Sequence, residues 1–342
     1  MDAQELHASA LVIDSHNDTI VAHIRRGNWS LERGPEGAEE RFKGTIAFLR
    51  GYEQPRPGAA PIQINFAKMR QGGIDIGFFA IDVTLAEKNR LSYALDGLGY
   101  FFADVEASGA DVKIVRRAGD ALEAKMAGQI GALLAVEHAD CVEGSLNILR
   151  ILYEIGVRSI GLTHNISSRA ADGCLEARDG VGLTRFGVQL VREMNALGML
   201  VDLAHVSPGA FFHALEVSTR PMIFSHGNAR HLCDHPRNLT DDQLRALGQQ
   251  GGVIGLSFVP MFVDAQQPTL ERFLDHVDHV AAVAGIDVVG LGSDFDGGGT
   301  LLPDATHMPC ITAGLLERGY GEDDIRKILG ENTLRVIRAT LG

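Results

Sequence analysis

The chain has 342 residues, 45% of them hydrophobic, enough to bury the core of one large α/β domain or of two ordinary ones. A formal net charge of -13 without a basic run argues against nucleic acid as a partner. Cys141, Cys174, Cys233 and Cys310 lie far apart without a CxxC pair, which argues against a zinc–thiolate site and a dense disulfide framework.

Short apolar runs recur along the chain and are separated by amphipathic stretches. Eight of them are apolar on both faces and read as buried parallel strands. They span 11–14, 74–83, 131–138, 157–164, 198–205, 221–227, 251–258 and 287–296. The segment 25–61, with "RGPEGAEE" and "QPRPGAAP", is rich in Gly and Pro and long for a βα loop. It is expected to cover the strand-end face or pack at its edge. Helical periodicity covers 183–198 and 269–285, with Gly198 and Gly285 placed as C-caps. Asp241 and Asp242 start another helix after Thr240, where acidic side chains suit the positive end of the dipole. Eight βα units in one chain predict a single (β/α)8 TIM-type barrel over residues 1–342, with a doubly wound sheet as the alternative. No apolar stretch reaches the roughly 20 residues of a membrane span. Met1–Glu5 also lacks the basic start of a secretory signal, so the expectation is a cytoplasmic protein without a membrane anchor.

Most of the proposed strands end in a residue able to do chemistry. His16 and Asp18 follow the first, Glu137 ends the third and His164 the fourth. His205, His226 and Asp294 end the fifth, sixth and eighth. All strands of a barrel point their C-terminal ends at one rim, so these side chains are expected to converge there. Three of the imidazoles with Asp18 and Glu137 form an N/O set suited to zinc or a similar divalent ion. Five ligands exceed one tetrahedral site but serve two ions if a carboxylate bridges them. Each residue alone has an ordinary reading as a cap, a turn or a paired barrel carboxylate; the coincidence of position is what argues for a site. "DFDGGG" is not a calcium loop, since its twelfth position is Ala305 rather than Glu. The nine other histidines, among them His23, His138, His231, His235, His276 and His279, read as surface or loop residues.

In order along the chain, "DSHND", "AVEHAD", "GLTHN", "DLAHVS", "FSHGNARHLCDHPRN" and "GSDFDGG" closely resemble the membrane (renal) dipeptidase family of metallopeptidases. The resemblance runs from about residue 11 to "GENTLRVI" near the C-terminus. It implies a barrel with two Zn2+ per chain, His16 and Asp18 holding one ion, His205 and His226 the other, and Glu137 bridging. It further implies that His164 faces the substrate and stabilises the oxyanion, Arg237 takes the substrate carboxylate, and Asp294 shuttles the proton. The implied reaction is hydrolysis of free dipeptides, including those with a C-terminal D-residue, by a metal-bridging hydroxide.

Animal members of that family are lipid-anchored. The absence of a hydrophobic tail makes this chain similar to the soluble bacterial branch. One departure is "LSFVPMF", where Val259 stands near the position at which animal members carry a tyrosine. Strand four lacks the lysine that other binuclear barrel hydrolases carboxylate, which argues against a phosphotriesterase-like or dihydroorotase-like enzyme. The alternatives are a related barrel amidohydrolase acting on another amide, or a catalytically silent metal-binding barrel. The subunit count, a homodimer included, is left open by the sequence.

Overall fold

The computed structural model describes residues 1–21, 30–32, 62–86 and 89–342. Most of the segment 25–61, and with it the expectation that it covers the strand ends, lies outside the described residues. Among the described residues there are nine parallel strands: β1 (Ile13–Asn17), β2 (Ile76–Asp82), β3 (Val112–Ile114), β4 (Ile130–Glu137), β5 (Val157–Gly161), β6 (Leu200–Asp202), β7 (Ile223–Gly227), β8 (Val253–Leu256) and β9 (Val289–Leu291). They run in the order β2-β1-β9-β8-β7-β6-β5-β4-β3, and β2 also pairs with β4, from Ile76↔Gly131 to Asp82↔Glu137. That pairing closes an eight-stranded barrel and leaves β3 outside it. One edge of β4 is shared: β3 takes residues 130–132 and β5 takes over from Leu134.

Nearly every strand residue is buried, because helices cover the outside and side chains fill the inside. This explains why the strands read as continuous apolar runs rather than alternating ones. Ile13, Ile76, Leu133, Leu200, Ile223 and Val253, near the strand starts, cluster with Val336 and Ile337 of the helix Asn332–Leu341. That helix packs against β1, β6, β8 and β9 and so plugs the end of the barrel opposite the site. Higher in the barrel, Ser15 Oγ donates to the carbonyls of Ser225 and Leu291 at 2.7 and 2.8 Å. The chains approach so closely there that a Cβ on Gly292 would stand 1.9 Å from the Ser225 carbonyl oxygen.

The predicted helices form with their caps. Thr184 caps Arg185–Leu197, which ends at Gly198 in the left-handed region. Thr240 and Gln243 form a capping box on Asp241–Gln249, and Leu270–Ala284 runs from Thr269 to Gly285. The structure differs from the sequence reading at the strand ends. β5, β6 and β9 stop several residues before His164, His205 and Asp294, so these three side chains sit on loops. His205 and Asp294 adopt φ of 69° and 59°, a sterically costly conformation for non-glycine residues that ends a strand and re-aims its side chain. Not every remaining histidine lies at the surface. His7, His138 and His276 are buried; both ring nitrogens of His7 and of His276 find partners, His276 between the Ala229 amide and the Val263 carbonyl, whereas His138 Nε2 has none. No helix among the described residues is long and apolar enough to cross a membrane.

Candidate active site

His16 lies on β1 with Asp18 just beyond it, Glu137 ends β4 and His226 lies on β7, while His205 and Asp294 follow β6 and β9. All seven side chains predicted to converge do so at one end of the barrel. His205 Nε2 lies 2.7 Å from Glu137 Oε1 and 2.9 Å from His226 Nε2. Glu137 Oε1 is also 3.6 Å from His226 Nε2, and His16 Nε2 is 3.6 Å from Asp18 Oδ2. The His16 and His226 rings stack at 3.7 Å, and those of His164 and His205 at 4.1 Å. Ligand-type atoms gather in three overlapping groups: His16–Glu137–His226, Glu137–His164–His205 and His16–Asp18–Asp294. Glu137 is shared by two of them.

The hydrogen bonds behind the rings decide which nitrogens carry lone pairs. His205 Nδ1 meets the Asn165 side-chain oxygen at 2.8 Å and must donate to it. Ser225 Oγ donates to Asp202, so it accepts from His226 Nδ1 at 2.9 Å. Both Nε2 atoms therefore turn lone pairs towards each other and towards the Glu137 carboxylate. With Glu137 ionised, three acceptors face one another at close range, an arrangement that a divalent cation among them would relieve. His16 Nε2, Asp18 Oδ1 and Glu137 Oε1 are buried without a hydrogen-bond partner. The donor set, imidazole with carboxylate and no thiolate, fits a divalent ion of the zinc type.

Burial, reinforced by Arg237 and neighbouring imidazoles, holds the pKa values of His205 and His226 well below the ordinary range. Burial acts to lower that of His16 too, but Asp18, Glu137 and Asp294 together lift it to about 10. Burial pushes Glu137 well up, and Asp294 to about 7. A divalent ion among these atoms would favour ionised carboxylates and neutral imidazoles.

A cavity of about 620 Å³ opens above the cluster. Arg237 lines it, 3% exposed, and is folded back onto β7 by a 3.0 Å bond from Nη2 to the His226 carbonyl. Its Nε and Nη1 are buried without a partner. Val259 and Phe262 form an apolar wall with the exposed Met261. Sequence reasoning missed the groups that orient the ligands: Asn165, Ser225 and Asp202. It also missed Asp14, wholly buried, which accepts from the Ser293 amide and hydroxyl at 2.7 and 2.9 Å and so ties the Asp294 loop to β1. Asp82 was overlooked as well, although it too is a polar residue ending an apolar run, on β2.

Comparison with known proteins agrees with this geometry. The family model described as membrane dipeptidase (peptidase family M19) matches residues 1–341. The dipeptidase VerJ of Clonostachys rogersoniana is 39% identical over 228 residues, a match spanning 66% of this chain and 59% of that protein's length. The crystal structure of dipeptidase AC, a family M19 metallopeptidase, superposes with a TM-score of 0.82 at 25% identity, covering 98% of this chain and 99% of that one. A metallopeptidase from Rhodobacter sphaeroides, bound to a phosphinate mimic of the dipeptide L-Ala-D-Ala, gives the same TM-score and identity, with 97% and 99% covered. With a barrel rim of histidines and carboxylates and a family match over almost its whole length, this chain belongs to the membrane dipeptidase family, peptidase family M19.

Proposed function

We propose that this chain is a zinc-dependent dipeptidase that cleaves free dipeptides, including those ending in a D-residue. The observation that carries the reading is Arg237. It is a buried guanidinium with Nε and Nη1 unpaired, on the same cavity as the ligand cluster. Either of these nitrogens, together with the second N–H of Nη2, forms a fork that matches a carboxylate bidentately. His16 and Asp18 would hold one ion, His205 and His226 the other, with Glu137 common to both. When bound, the two ions would supply Lewis acidity towards a carbonyl oxygen and an activated water.

The chain's own residues do the rest. Arg237 binds the terminal carboxylate, which limits substrates to one residue beyond the scissile bond. The His164 ring lines the cavity and supports charge growing on the carbonyl oxygen by hydrogen bonding. The Asp294 carboxylate, buried and with a near-neutral pKa, takes a proton and passes it to the leaving amine. The wall of Val259 and Phe262 excludes water and suits small or apolar side chains. Tolerance of a C-terminal D-residue is supported by the L-Ala-D-Ala mimic held by the Rhodobacter relative.

The test uses zinc-loaded protein and compares an L,D-dipeptide with its C-terminal amide and its tripeptide extension. Only the dipeptide should be turned over efficiently, and a chelator should abolish turnover. Comparable kcat/KM for all three would instead indicate a general amidase, and no turnover at all a silent barrel.

A further inference from the structure

Five acidic side chains line the cavity: Asp18, Asp82, Glu137, Asp294 and Asp296. Asp18 and Glu137 belong to the ligand cluster and Asp294 to proton transfer. Asp296 is engaged by the backbone amides of Gln63 and Ile64, at 2.8 and 3.4 Å. Asp82 has no role in the reaction so far. It is 7% exposed, at the C-terminal end of β2. Its Oδ1 accepts from the amide and hydroxyl of Thr84, at 2.8 and 2.6 Å, which fixes the carboxylate's direction. Its Oδ2 accepts no hydrogen bond among the described residues. The basic atom facing it is His164 Nε2, 3.9 Å away and beyond hydrogen-bond reach.

The position of Asp82 is as informative as its free oxygen. In the barrel order, β2 and β7 are four places apart in either direction, so they stand diametrically opposite. Asp82 ends β2, and Arg237 is fastened to the end of β7. The cavity thus has a cation on one side, a fixed carboxylate on the other and the ligand cluster between. A dipeptide zwitterion, roughly 7 Å end to end, carries the complementary pattern, an anion at its C-terminal residue and an ammonium at its N-terminal residue.

We propose that Asp82 is a specificity-determining subsite that receives an ammonium group on the N-terminal residue of the substrate, opposite the Arg237 carboxylate site. This inference rests on the dipeptidase reading. The ammonium has two sources, the free α-amino group and a basic side chain, and the test separates them.

The experiment compares the zinc-loaded wild type with Asp82→Asn. The amide keeps an oxygen acceptor for Thr84, so the β2 end remains capped while the charge is lost. The substrates are L-Ala-D-Ala, its N-acetyl derivative, L-Lys-D-Ala and L-norleucyl-D-Ala. A charge-assisted contact predicts that Asp82→Asn raises KM on the recognised amine on the order of tenfold to a hundredfold, with kcat little changed. If the α-amino group is read, the preference of the wild type for free over acetylated substrate collapses in the variant. If a side chain is read, the preference for lysyl over norleucyl substrate collapses. Neither ratio moving overturns the proposal. An equal loss of kcat on all four substrates also overturns it, assigning Asp82 to positioning His164 instead. Calorimetric titration with two pairs of phosphinate dipeptide mimics, alanyl against its desamino form and lysyl against norleucyl, reads the same discriminations without turnover. A chain that binds but does not hydrolyse would therefore fail the dipeptidase reading and still test Asp82. Equal affinity within both pairs counts against the subsite.

Discussion

Replacing Arg237 by alanine isolates recognition from chemistry. The guanidinium is buried against Phe224 and Phe262, with only Nη2 satisfied by the protein, through the His226 carbonyl. A substrate carboxylate would bind across the second N–H of Nη2 and either Nε or Nη1, two charge-assisted hydrogen bonds in a buried site. Breaking such a buried pair from one side costs on the order of 3–5 kcal/mol. At 1.36 kcal/mol per factor of ten, Arg237→Ala should lower kcat/KM for a free dipeptide by about two to four orders of magnitude. The pairing exists in ground and transition states alike, so the loss should fall on KM. The same variant should treat a dipeptide and its C-terminal amide almost equally, since the group that distinguishes them is gone. Steady-state kinetics on both substrates reads this directly, with zinc content measured alongside because the lost Nη2 bond touches His226. A fall in kcat at unchanged KM, with zinc retained, would refute the carboxylate grip. So would undiminished discrimination against the amide.

Glu137→Gln should lose zinc and activity together, since a neutral amide is a poor ligand shared between two ions; elemental analysis should fall from two ions per chain to one or fewer. Asp294→Asn should keep both ions and lower kcat by roughly a hundredfold or more, with elemental analysis and turnover measured on one preparation. Stability should depend on His276, whose pKa is held down to about 4 by burial, against about 6.5 in the unfolded chain. Between those values the unfolded state binds more protons, so stability is lost as pH falls from about 6.5 towards 4, by at most about 3 kcal/mol. Urea unfolding at pH 7 and pH 5 should show this slope, and His276→Gln should flatten it. Gly292→Ala should destabilise the barrel by about 3 kcal/mol or more, read as a fall in Tm, because its Cβ would collide with the Ser225 carbonyl.

Much of the barrel is legible in the sequence because a strand buried on both faces must be apolar throughout, as "GALLAVEH" and "GGVIGLSF" are. A polar residue directly after such a run has few ordinary reasons to be there, and this is why His16, Glu137, His205, His226 and Asp294 stand out. β3 is not legible, since three residues, two of them half-exposed, carry no such pattern. The burial of His276 left a usable trace. It lies three residues after Phe273 and four before Val280 on the inward face of its helix, whereas His279 turns outward to Asp241.

Only the tertiary structure decided what the ligand histidines present. The lone pair on His205 Nε2 depends on Asn165 from the loop after β5, and that on His226 Nε2 on Asp202 at the end of β6, acting through Ser225. The opposition of Asp82 and Arg237 depends on barrel closure between β2 and β4. Sequence periodicity reports which side of its own element a residue occupies. Hydrogen-bond direction and charge placement across a cavity join elements far apart in the chain, and they exist only once the strands have closed.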